Sequence, residues 1–162
     1  MGKLEKILED QSHYWLQRAS LEAEDLDLPL SKIYIEKALS MQPKDSLIIT
    51  TKGYIDIKLG VANIADSKYK TEAEIAFREL KSLIENGKDR DAHAFHIIGS
   101  QGLAWSRKIN YSSELERKIW LQDINNYIGK GRKKYPQNTD LKQLSDDVTK
   151  EILMMTTIRN PI

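Results

Sequence analysis

An all-α fold follows from three features of the sequence. Apolar residues recur at helical spacing, as in Leu4, Ile7, Leu8, Trp15 and Ala19, or Ile33, Ile35 and Leu39. No stretch alternates apolar and polar residues between hairpin turns, so strands are not expected. Only four prolines and eight glycines occur. Pro29, Pro43, Pro136 and Pro161 fall between or at the edges of the periodic stretches, where a missing N–H costs least.

Seven helices are expected in order. The first covers roughly 3–24, and the second, roughly 29–41, takes Asp27 or Ser31 as its cap. Asp45 caps the third, roughly 46–63. The polar stretch Ala65 to Lys70 reads as a connector into a fourth helix over roughly 70–86, which Gly87 ends as a left-handed stop after Asn86. The fifth and sixth follow over roughly 90–108 and 112–134, with Gly129 and Gly131 loosening the end of the sixth before Tyr135-Pro136. Asn138 or Thr139 caps the last, roughly 138–157, and Asp140 suits its first turn. Short loops make consecutive helices antiparallel neighbours.

Composition narrows the function. A chain of 162 residues suits one compact domain that buries roughly two-thirds of its unfolded surface. Without cysteine there is no disulfide scaffold, thiol nucleophile or thiolate zinc site. Lysine and arginine total 25 against 24 acidic residues, so no global field draws the protein to nucleic acid or an anionic membrane. The longest apolar runs, Leu47 to Ile49 and Ile152 to Met155, are too short to span a bilayer. The opening MGKLEKILEDQ lacks the apolar core of a signal peptide, and Lys6 stands where myristoylation needs Ser or Thr. A soluble, cytoplasmic protein is expected.

The helices carry a repeat. After Trp15 and Ala19 come Ser31, Ile35, Ala38 and Pro43, with IEKALSMQPKDS as the most telling stretch. These residues resemble the tetratricopeptide repeat, in which a large and a small residue mark helix A, and small, aromatic, small and proline residues mark helix B and its exit. Small residues let two helix backbones approach while the large one fills the adjacent hole. A second unit matches Ile49, Gly53, Ala73 and Phe77, and a third matches Phe95, Ile98 and Gly99 before Gly131 and Pro136. Leu141, Leu144, Ser145 and Val148 mark a last helix A without a partner. The resemblance implies one domain over 1–162, a short right-handed solenoid of units 12–45, 46–87 and 90–137 closed by helix 138–157. HAFHIIGSQGLAWSRK, His93 to Lys108, is also similar to helices in C-terminal repeat regions of large bacterial NTPase or defence-type proteins. That similarity implies a regulatory module or a piece of one.

Motifs of catalysis are missing. No GxxxxGK[ST], GxGxxG or HExxH occurs. Gly129-Lys130-Gly131-Arg132 follows a helix, not a strand, and reads as cations facing a helix C-terminus. His93 and His96 share a helix face near Asp89 and Asp91, yet two ligands do not make a stable metal site. No metal or cofactor is expected, and EDTA should leave the melting temperature unchanged. Ser100 lies one turn from His96 without an orienting carboxylate or oxyanion stabiliser, so no enzyme is expected. Asn110-Tyr111-Ser112 is a sequon without a secretory signal.

The resemblance implies a non-catalytic module whose helix A faces line a groove for a protein or peptide. The corresponding groove positions are His13, Leu16 and Ser20, then Thr50, Tyr54 and Ile57, then His93, His96 and Ser100, and last Lys142 and Asp146. Leu16 and Ser20 depart from the lysine and asparagine clamp with which chaperone-binding members hold a peptide carboxylate. The alternative is nucleic-acid binding by Lys130, Arg132, Lys133 and Lys134 with Tyr127 and Tyr135, which the balanced net charge disfavours. Leu153, Met154 and Ile158 lie off the stripe of the last helix and imply a twin subunit, a partner or a neighbouring domain there. Trp15, Ala19, Ile35 and Ala38 are expected together inside the first hairpin.

Overall fold

The computed structural model describes residues 2–158, with side chains as far as Met155. Pro161 and the side chain of Ile158 lie outside the described residues. Seven helices and no strand occur among those described: α1 (Lys3–Glu24), α2 (Leu28–Met41), α3 (Ser46–Ala62), α4 (Ser67–Glu85), α5 (His93–Lys108), α6 (Glu114–Lys134) and α7 (Thr139–Ile158). None is long and apolar enough to cross a membrane. The chain divides into two compact units, Met1–Arg90 and Asp91–Ile162.

Side-chain caps fix most of the boundaries. The Leu30 N–H donates to the Asp27 carboxylate at 3.2 Å, and the Leu47 and Ile48 N–H groups donate to Asp45. Ser31 caps nothing. It is buried and donates to the Ala19 carbonyl across the hairpin at 2.6 Å. Asp66 accepts from the Lys68 N–H at 2.9 Å, so α4 starts inside the stretch expected to be a connector. Asp91 accepts from the His93 N–H, and α5 begins later than its apolar pattern suggests. The Asn138 side chain accepts from the Leu141 N–H at the start of α7.

Two helices end in the same backbone motif with different residues. At the end of α4 Gly87 adopts φ +66°, with Gly87 and Lys88 donating to the Ile84 and Leu83 carbonyls. At the end of α1 the left-handed residue is Leu26, at φ +65°, with Leu26 and Asp27 donating to Ala23 and Glu22. A leucine pays a steric penalty there that glycine does not.

In the first unit α1 packs on α2, α2 on α3 and α3 on α4. Its core joins Leu16, Ala19, Ile35, Ala38, Ile48 and Ile55, with Trp15 partly buried against them. Trp15, Ala19, Ile35 and Ala38 thus meet as expected. In the second unit α5, α6 and α7 all touch one another. Gly131 does not loosen α6: it is buried, and a Cβ there would lie 2.7 Å from Phe95 Cγ. Gly99 likewise lets Leu144 and Ile128 press against the α5 backbone.

Candidate functional site

In the first unit α1 and α3 border an open concavity of about 670 Å³. His13, Leu16, Gln17, Ser20 and Leu21 line it from successive turns of α1, and Leu47 and Thr51 from α3. No aspartate, glutamate, lysine or arginine is among these lining residues, in a chain 30% charged. The Ser20 hydroxyl donates to the Leu16 carbonyl at 3.0 Å and the Thr51 hydroxyl to the Leu47 carbonyl at 2.9 Å. Both hydroxyl protons are therefore satisfied within their own helices, and the surface is apolar with a weakly polar border.

His13, Leu16 and Ser20 line this one concavity. The expected residues of α3 do not join them. Thr50 is buried with its hydroxyl on the Ser46 carbonyl, Ile57 is fully buried in the core, and Tyr54 packs on the core beneath the Lys58 ammonium. Ile57 is thereby corrected from a groove residue to a core residue. The lining residue is Thr51 in place of Thr50, a shift of one position or about 100° around the helix.

In the second unit His93 is exposed overall while His96 and Ser100 are half-buried on α5. Partial desolvation lowers the His93 pKa against the opposing pull of Asp91, and His96 lowers it further. No group of three or more metal-ligating side chains gathers among the described residues. Lys142 and Asp146 are exposed on α7. Lys142 lines a concavity of about 470 Å³ with Gly129, Arg132 and Lys133 of α6, but the α5 residues do not line it. The basic segment is split: Lys130 sits 4.7 Å from the Tyr127 ring centre and Lys134 5.7 Å from that of Tyr135.

Each unit also holds an ion cluster that the sequence reading missed. In the first, Asp56 is 2% exposed and accepts from Lys32 Nζ and Lys52 Nζ, both at 2.6 Å, while Lys32 also reaches Glu72 at 2.8 Å. Burial penalises the Lys32 ammonium, yet the bonds and charges of Asp56 and Glu72 outweigh it and raise its pKa. In the second unit Glu151 is met by Arg107 at 3.3 Å and Arg117 at 2.7 Å. The Arg107 hydrogen bond lowers the Glu151 pKa most, burial opposes it, and Arg117 adds to the lowering. Nearby, Tyr111 has a buried hydroxyl without a hydrogen-bond partner among the described residues, and burial pushes its pKa up to about 12 against the charge of Arg117.

No protein-family model, curated protein or solved structure matches the chain.

Proposed function

We propose that the chain is a non-catalytic, cytoplasmic binding module that takes an uncharged, aliphatic peptide segment or helix face in the α1/α3 concavity. The observation that carries this reading is the absence of charged residues from the lining of that concavity. An apolar segment docking there desolvates hydrocarbon and leaves no lining charge buried without a partner. Helix-in-groove recognition uses such a surface.

The tetratricopeptide-like reading belongs to this proposal. Buried Ala19 and Ala38 in the first hairpin support it, as does Gly53, where a Cβ would lie 3.0 Å from Leu80. Its right-handed stacking is proposed for the two hairpins of the first unit. The exposed Leu153 and Met154, 60% and 55% accessible, support a further protein contact on α7.

Peptides selected from a displayed random library on the parent chain test the reading. Enriched sequences should be aliphatic and uncharged, and Leu21→Arg or Thr51→Arg should weaken them at least about tenfold without lowering the melting temperature. Selection of charged peptides, or binding unchanged by both variants, would overturn it.

A further inference from the structure

We infer that the concavity between the end of α6 and the start of α7 binds a small phosphate-bearing anion with two or more negative charges, of the diphosphate class. Arg132 and Lys133 of α6 and Lys142 of α7 line one hollow of about 470 Å³, and no carboxylate is among its lining residues. That volume suits a small molecule. A guanidinium beside two ammonium groups offers a planar fork and two mobile donors, the combination that phosphate oxygens accept.

Convergence on one hollow, together with the absence of a paired carboxylate, sets this cluster apart from the cations that join helices. Lys32, Lys52, Arg107 and Arg117 each meet a carboxylate. None of Arg132, Lys133 and Lys142 forms an ion pair among the described residues, and Arg132 reaches only the Ser145 hydroxyl at 3.5 Å. Three like charges around one hollow repel one another, and an anion there would be attracted to all three. The helix dipole accounts for Arg132 and Lys133 in the last turn of α6. It does not account for Lys142, which stands one turn into α7, near the helix end that disfavours a cation.

Gly129 is an independent observation. A glycine inside a helix is less stable than alanine by roughly 1 kcal/mol, so its presence calls for a reason. Gly131 has one in Phe95, whereas a Cβ on Gly129 would meet nothing within 4 Å. Gly129 lines the concavity, and its missing side chain keeps that wall open. A small anion fits better than a polynucleotide, because Lys130 and Lys134 already lie over the rings of Tyr127 and Tyr135 that would stack bases.

Calorimetric titration of the full chain with sodium diphosphate at low salt tests the site. Saturable binding of one diphosphate per chain is expected, weakened about tenfold by Lys142→Gln and by Arg132→Gln. Gly129→Leu should weaken it as well without lowering the melting temperature, and Lys44→Gln in the other unit should change nothing. The inference is overturned by unsaturable heats, or by equal weakening in Lys44→Gln. It is also overturned if a single-stranded oligonucleotide binds through Lys142 while diphosphate does not.

Discussion

In the first unit Lys32 and Lys52 converge on the buried Asp56, and the concavity on α1 and α3 has an uncharged lining. In the second unit Arg107 and Arg117 hold Glu151, 19% exposed, while Arg132, Lys133 and Lys142 line a concavity without a carboxylate. The two units use similar amphipathic helices and place their charges differently. Both units join helices through paired charge. The first leaves open an uncharged lining, proposed to take an apolar segment, and the second leaves open three converging cations, proposed to take an anion. The lesson is that pairing, more than charge content, separates structural from available charge in this chain.

The largest expected effect is on the buried cluster. Asp56→Ala leaves two ammonium groups facing each other in partial burial and should destabilise the protein by roughly 3–5 kcal/mol in urea unfolding. A cost no greater than that of the equivalent change at Glu151 would erase the difference between the units. Next, Ala38→Trp should overpack the first hairpin, where Ala38 is fully buried, and cost about 1–3 kcal/mol or more. A neutral result would mean that the α1/α2 crossing tolerates volume it is not seen to have.

The opposite pKa directions sharpen the comparison. Lys32 is raised above 10.5, so its contribution is complete below that value and is lost as pH rises through the higher folded value. Glu151 is lowered below 4.5, so its contribution is present above that value and is lost as pH falls through the lower folded value. Glu151→Gln should therefore cost about 1 kcal/mol at neutral pH, and its melting curve should merge with that of the parent in strong acid. A gap that persists there would show that Glu151 acts through packing. The smallest effect is at Leu26, where replacement by glycine should stabilise by up to about 1 kcal/mol by relieving a left-handed leucine that is largely exposed. Destabilisation would show that the side chain makes a contact outweighing its backbone strain.

Much of the fold was legible because helix signals are local. Asp27, Asp45 and Asn138 cap their helices, and Gly87 terminates α4 with the expected left-handed backbone. The starts of α4 and α5 were misplaced because Asp66 and Asp91 accept N–H groups two residues on, which decides the boundary inside a polar stretch. The site was only partly legible. His13, Leu16 and Ser20 share one face of α1, as the repeat resemblance implies, but the rotation of α3 is set by packing, and the lining falls on Thr51 one residue away from the expected Thr50. The buried cluster joins Lys32, Asp56 and Glu72 on three helices, and spacing along the chain does not show such pairs. Its one visible signal was an aspartate between Ile55 and Ile57 in an apolar helix.

The most direct measurement is an amide chemical-shift map of the full chain, titrated first with a library-selected aliphatic peptide and then, in a fresh sample, with diphosphate. The peptide should perturb the backbone around His13 to Leu21 and Leu47 to Thr51, and diphosphate the backbone around Gly129 to Lys142. The division between an apolar and an anion-binding surface would be contradicted if the peptide shifts fell around Gly129 to Lys142, or if diphosphate shifts followed exposed lysines throughout the chain.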